Sequence, residues 1–279
     1  MMPGTLYPNP GPMARLNPLD LAAFVELCAA ALFALLAGVA REPAGIAAAF
    51  AATMFIAAFA SGAHVNPAVS VASALSGHLP WVRALVYVLA QVLGTLAGTA
   101  CLLVLVPGMH AGDASAAACH GPIKDLGGTG LFAWEAILTF AFVFVLFGAI
   151  MHPPTYGAIA PLAAGVTLWA CLATGGALTG LSPLNPAVTF ASSLVLDCFW
   201  RYSWMYWLAQ LTGAGVAAAL AVFVFGKGPW LMDEEGRANY FGAAGGASGL
   251  GSSGYTPLMG GEGRTAAAPQ GGGMGGGMA

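Results

Sequence analysis

An all-α membrane protein of six transmembrane helices plus two re-entrant half-helices, arranged as an inverted internal repeat, is the fold this sequence predicts. Three observations predict it. The chain is 58% hydrophobic and only 7% charged, against about 25% charged residues in a soluble domain. The tripeptide Asn-Pro-Ala occurs twice, as Asn66-Pro67-Ala68 and Asn185-Pro186-Ala187, each time at the head of a short apolar run. Both copies sit inside a duplication. A shift of 119 residues lays Asn66 on Asn185, Trp81 on Trp200, Tyr87 on Tyr206, Gln91 on Gln210 and Gly94 on Gly213. With a one-residue gap, Glu26 ahead of Gly38 matches Glu135 ahead of Gly148. Such internal symmetry marks many transporter and channel folds.

The elements follow in order. Residues 1–19 are an N-terminal tail rich in Pro and Gly. The first apolar run, 21–40, is long enough to span a bilayer and reads as an uncleaved anchor. Arg41-Glu42-Pro43 makes a polar turn into a second span, 44–60. The first half-helix follows Asn66 and ends at the turn 77–80, before a third span, 83–106. A polar, Gly-rich connector covers 107–129. Spans four and five, 130–151 and 157–177, flank the rigid turn His152-Pro153-Pro154-Thr155-Tyr156. The second half-helix follows Asn185, and the sixth span is 202–225. The membrane domain is therefore 20–226, with repeat one at about 20–106 and repeat two at about 130–226. Residues 227–279 open with Asp233-Glu234-Glu235 and become Gly-rich, so a disordered tail is expected there.

The half-helix reading has a local cause. Asn is a good N-cap, and Pro suits the first helical position because its missing N–H would be an orphan there. Each run is too short to cross a bilayer, which takes roughly 20 residues. Three spans per repeat reverse the chain, so the halves are inverted and the two half-helix N-termini meet near the midplane. Each N-terminus carries roughly half a positive elementary charge. Two Asn amides aimed at one spot between them would repel cations and donate hydrogen bonds to a neutral oxygen. Irregular backbone at that depth must be buried or line a wet cavity. The carbonyls of Gly62, Ala63, His64 and Val65, and of Leu181, Ser182, Pro183 and Leu184, are the expected acceptor ladder on either side.

The net charge of −3 gives no reason to expect nucleic acid. Five cysteines, an odd count without regular spacing, argue against a disulfide framework or metal site. No nucleophile–base pairing or phosphate loop suggests an enzyme, and no cofactor is expected.

Ser61-Gly62-Ala63-His64-Val65-Asn66-Pro67-Ala68-Val69 resembles the first re-entrant loop of the aquaporins, or major intrinsic proteins. Tyr87, Ala90, Gln91 and Gly94 resemble that family's third helix. Glu135, Thr139 and Phe140 resemble its fourth, Ala160-Pro161-Leu162-Ala163 its fifth and Tyr206-Trp207 its sixth. The resemblance covers residues 20–225. It implies an aquaporin-like right-handed bundle, usually a homotetramer with one pore per subunit, and a passive channel for water or small uncharged solutes. It also implies that Glu26 and Glu135, with Gln91 and Gln210, support the loops by accepting backbone N–H bonds.

The family usually carries Arg directly after the second Asn-Pro-Ala; here Val188 stands there. Counting from the Asn residues, the other outer-filter positions fall on Ile46, Ala173 and Ser182. The expected filter is wide, uncharged and largely apolar. Glycerol, urea, ammonia and peroxide then join water as candidate permeants. Thr189 and Tyr206-Trp207 look water-type by the same resemblance. Arg201 is the nearest basic residue that could stand in for the missing Arg. His64 either touches the pore or is a satisfied loop histidine. Two other classes compete: a non-conducting structural membrane protein, and a proton-coupled small-solute transporter using Glu26 and Glu135. The protein is expected to be a multi-pass protein of the plasma membrane or an internal membrane. Both termini are expected in the cytoplasm, on a small excess of Arg and Lys on that side.

Overall fold

The computed structural model describes residues 18–58, 60–112, 118–119, 121–122, 126–151, 159–176 and 182–246. They form helices and turns, with no strand among them. Repeat one comprises α1 (Pro18–Val39), α2 (Pro43–Ala57), the half-helix α3 (Pro67–Leu75) and α4 (Trp81–Leu105). Repeat two comprises α5 (Gly128–Leu146), α6 (Ala160–Gly176), the half-helix α7 (Pro186–Val195) and α8 (Trp200–Phe225). A π-helical turn, Phe147–Met151, extends α5. A 3-10 turn, Pro229–Leu231, and a last helix, α9 (Glu234–Gly246), follow α8.

Four helical stretches are long and apolar enough to span: Leu19–Val39, Trp81–Leu105, Gly128–Met151 and Trp200–Phe225. The other two crossings, α2 and α6, have 15 and 17 residues. At 1.5 Å per residue they reach about 22 and 26 Å, short of the roughly 30 Å hydrocarbon core.

The repeats pack alike. α1 lies against α4, and α5 against α8. Glycine permits both crossings. A Cβ on Gly94 would lie 2.1 Å from the Leu27 carbonyl oxygen, and one on Gly213 would lie 2.2 Å from that of Ala136. Small residues let backbones approach this closely in lipid, where water drives no helix association. The half-helices cross between repeats, α7 against α4 and α3 against α8.

The two half-helices end on opposite faces. Past α3, the Ser76 and Gly77 carbonyls accept from Gly228 and Trp230, which follow α8. Past α7, the Leu196 carbonyl accepts from Gly112 of the connector. The outer girdle is apolar: Val104 is 84% exposed and Phe223 87%, a surface suited to lipid or neighbouring subunits rather than water.

Residues 227–246 do not continue as a structureless tail. The Gly228 and Trp230 bonds seat the 3-10 turn on Gly77, where Leu231 fills the space a side chain would need. Arg237 donates to the Pro229 and Met232 carbonyls and lies 5.4 Å over the Trp230 ring. Low apolar content missed these backbone and cation–π contacts. Residues 247–279 and 1–17 lie outside the described residues.

Candidate functional site

The centre is built by two residues acting on each other's repeat. Asn66 caps α3: its Oδ1 accepts from Ala68 N at 2.9 Å. Asn185 caps α7 in the same way, from Ala187 N at 3.0 Å. Their amide nitrogens cross over. Asn66 Nδ2 donates to the Leu184 carbonyl at 2.9 Å, and Asn185 Nδ2 to the Val65 carbonyl at 3.0 Å. This reciprocal exchange ties the half-helix N-termini together. Pro67 and Pro186 open the helices, with Ala68 and Ala187 next.

The accepting carbonyls are aimed by left-handed backbone. Val65 has φ 50° and Leu184 φ 50°; two residues earlier Ala63 has 58° and Ser182 39°. A β-branched residue at positive φ is an outlier, and such conformations persist only where their surroundings over-determine them. Gly62 also sits at positive φ, where glycine is at ease.

The over-determination comes from the two buried carboxylates. Glu26 accepts from Ser61 Oγ, from His64 N at 2.9 Å, from Val65 N at 2.7 Å and from Gln91 Nε2 at 2.7 Å. Glu135 accepts from Ser182 Oγ, from Leu184 N at 2.9 Å and from Gln210 Nε2 at 2.8 Å. Pro183 stands where His64 stands in repeat one and has no N–H to give. Gln91 also bonds Ser70 Oγ at 3.0 Å, as Gln210 bonds Thr189 Oγ1 at 3.2 Å. Tyr87 Oη donates to the Ser61 carbonyl.

His64 is buried, with Nδ1 3.0 Å from Ser70 Oγ and its ring edge-on to Tyr87. That is the satisfied loop histidine of the two alternatives.

The outer half differs from the sequence expectation. A cavity of about 40 Å³ is lined by Phe33, Ile46, Leu168, Leu172, Pro183 and Val188, with Ala118, Thr99 and Ser192 at its margins. Ile46 and Val188 are among its lining residues. Ala173 is not: it lies on the exposed face of α6, while Leu172 is buried against the cavity. Helical rotation is the reason. α6 buries Ala164, Leu168, Cys171, Leu172 and Gly175, a stripe that passes Ala173 by. Ser182 is not a lining residue either, because its hydroxyl is held by Glu135. Arg201 is exposed at the start of α8 and is not among the lining residues. Leu181, the remaining ladder residue, lies outside the described residues.

A disulfide joins Cys119 to Cys198, across 79 residues. The odd cysteine count hid it. Cys28, Cys101 and Cys171 are the remaining free thiols, all on helices, so the pair is what is left.

Comparison with known proteins decides the lineage. The family model described as "Major intrinsic protein" matches residues 21–221. The chain belongs to the major intrinsic protein family. It is 34% identical over 195 residues to a "Probable aquaporin TIP-type" of Medicago truncatula, covering 67% of this chain and 74% of that one. "Aquaporin TIP1-2" of Zea mays is 34% identical over 197 residues, covering 67% and 74%. Among solved structures, the aquaglyceroporin from Plasmodium falciparum aligns with a TM-score of 0.58 at 22% identity, over 74% of this chain and 94% of that one. At that identity the match speaks for the fold. The aquaporin fold of this chain thus rests on its helices, its paired half-helices and its family together.

Proposed function

We infer that this chain is a passive transmembrane channel for water and small uncharged solutes. The reciprocal Asn66–Asn185 exchange carries the reading. A side-chain amide has two N–H groups. Each Asn uses one on the opposite loop and keeps one for a permeant oxygen. Two half-helix N-termini beside them oppose cations at the same level. Asn66, Pro67, Ala68, Asn185, Pro186 and Ala187 form the proposed pore centre. The carbonyls of 62–65 and 182–184 form its acceptor ladder.

The proposed outer filter is Ile46, Leu172, Val188 and Pro183, uncharged and apolar. Such a ring replaces none of the hydrogen bonds a permeant leaves behind, each worth about 0.5–1.5 kcal/mol net. Small solutes with few such bonds, ammonia and peroxide beside water, suit it better than glycerol or urea.

Glu26 favours a loop-support role over proton relay. A carboxylate offers about four lone-pair sites, and four donors occupy them. Glu135, with three donors, plays the same part.

The protein is a multi-pass membrane protein, and we place both termini in the cytoplasm. Arg83, Lys227 and Arg237 lie towards that face among the described residues, against Arg41 and Arg201 on the other. The disulfide lies on the opposite face, which suits an oxidising compartment. The apolar girdle fits a homotetramer in lipid.

Stopped-flow swelling and shrinking of proteoliposomes in sucrose, glycerol, urea and ammonium gradients tests the function. Water and ammonia permeability should exceed that of empty liposomes, without saturation and without dependence on a proton gradient. Permeability equal to empty liposomes for every solute would favour a structural role. Saturable, gradient-driven uptake would favour a transporter.

A further inference from the structure

We propose that the Cys119–Cys198 disulfide is a redox latch that sets the selectivity of the outer cavity, an inference that rests on the channel reading above. Three observations meet at the bridge.

The bridge abuts the cavity wall. Ala118, next to Cys119, lines the cavity, and so does Ser192, whose carbonyl accepts from Cys198 N at 3.3 Å. Ser192 belongs to the half-helix that carries Val188 and Asn185.

The turn that leaves this half-helix is strained on both sides of the cysteine. Asp197 has φ 55° and Phe199 φ 50°, and neither is glycine. Such residues hold their conformation only while neighbours fix them.

Besides the turn's own bonds to Ser192 of α7 and Tyr202 of α8, contacts from the connector fix it. Gly112 N donates to the Leu196 carbonyl at 2.7 Å. Gly121 meets the Phe199 ring so closely that a Cβ there would lie 2.4 Å from it. The disulfide closes the set between them. Leu102, Leu196, Ala118 and the two cysteines form one small buried cluster. The disulfide is the covalent cross-link between connector and turn, so opening it leaves the two joined, among the described residues, by the Gly112–Leu196 bond, the Gly121–Phe199 contact and the packing of this cluster, while the turn keeps its own backbone bonds to Ser192 and Tyr202.

The chemistry is thiol–disulfide exchange with a dithiol. A thiolate of the dithiol attacks the Cys119 sulfur, the S–S bond breaks and the Cys198 thiolate leaves and takes a proton. The second thiol of the reagent then attacks the mixed disulfide, releases the Cys119 thiol and closes to a cyclic disulfide. Two electrons and two protons pass from reagent to protein. Access favours Cys119, which is 9% exposed against 2% for Cys198. Once the bridge opens, Ala118 is no longer tied to the wall and the turn 197–199 can relax. The outer cavity widens and admits larger neutral solutes.

The test uses the full-length protein in proteoliposomes. Differential alkylation and mass spectrometry first establish the bridge in the purified tetramer. Stopped-flow then gives the ratio of urea to water permeability before dithiothreitol, after it, and after reoxidation with oxidised dithiothreitol. The ratio should rise several-fold on reduction and fall back on reoxidation. Cys119→Ser should match the reduced protein and ignore both reagents. Several results would overturn the latch: both thiols free in the untreated tetramer, a bridge that resists the dithiol in the folded state, or one ratio in oxidised, reduced and Cys119→Ser protein. A lower melting temperature with an unmoved ratio would make the bridge a structural staple and also sink the proposal. Water flux of the oxidised protein above that of empty liposomes tests the channel itself, so the two readings fail separately.

Discussion

Leu172→Ala is the sharpest probe of the outer filter. Leu172 is 3% exposed and faces the cavity across from Ile46 and Val188. The cavity holds about 40 Å³, room for roughly three water-sized spheres at ~10–15 Å³ each. Glycerol has six heavy atoms and must displace a lining side chain to pass. Forcing extra groups into packed surroundings costs about 1–3 kcal/mol. Truncating Leu172 removes three carbons and most of that cost. With a factor of ten for each 1.36 kcal/mol, glycerol permeability should rise roughly 5- to 150-fold. Water permeability should change little, since water already fits. Leu→Ala in a sealed core costs about 2–5 kcal/mol, less where water can fill the gap, so the yield of folded protein and Tm are checked first. The companion variant Ala173→Leu should change neither flux, because Ala173 faces outward. If Ala173→Leu throttles glycerol while Leu172→Ala does nothing, the filter follows the sequence count and not the helical stripe.

Four further outcomes are expected. Asn66→Asp or Asn185→Asp places a carboxylate at two half-helix N-termini, where anions are favoured; solute flux should fall or cation conductance appear, and normal flux with normal selectivity in both would remove the pore centre from these residues. Glu26→Gln should destabilise more than Glu135→Gln, because four donors lose an ideal acceptor rather than three; unmet buried donors cost about 1–3 kcal/mol each, and equal Tm values for the two variants would contradict this. Gly94→Ala and Gly213→Ala should each impair assembly, since their Cβ atoms would meet backbone oxygens at 2.1 and 2.2 Å, whereas Gly148→Ala, with its nearest neighbour at 3.5 Å, should be tolerated; size-exclusion profiles of the three decide it. Val188→Arg should cut glycerol and urea flux further than water flux in the folded protein, and an equal loss of all three would place the constriction elsewhere.

Much of the fold was legible because it depends on residue types with narrow conformational roles. Pro at N1 and Asn at the cap mark a helix start whatever surrounds them, and both half-helices begin at Pro67 and Pro186. Symmetric matching also brought Glu26, Gln91 and Asn66 into register with Glu135, Gln210 and Asn185. What was not legible depends on rotation and on distance. Counting back from Asn185 crosses the segment between α6 and α7, and one residue more or less there turns the reading by 100° on α6. The apolar spacing of Ala164, Leu168 and Leu172 carries the correct phase and could have been used instead. The disulfide joins residues on two separate elements, and no local pattern announces that. The docking of 227–231 on Gly77 is made by backbone bonds, which composition cannot register.

The points where the repeats stop matching locate what the symmetry does not serve. The Asn exchange, the carboxylate supports and the glycine crossings occur twice, because each half-helix needs the same anchoring. Pro183 breaks the match with His64 and removes one N–H from the support of the second loop. Ser182, two positions further along its loop than Ser61 is along the first, supplies Glu135 with the hydroxyl that Ser61 supplies to Glu26, so the second carboxylate stays one donor short. Beside Asn66, His64, Ser70 and Gln91 form a buried polar network that supports the first loop. Beside Asn185, Pro183 lines the outer cavity together with Val188, Leu172 and Ile46. The proposed filter therefore predicts that changes at Leu172 or Val188 alter selectivity more than changes of the same size at His64 or Ser70, whose side chains support the loop.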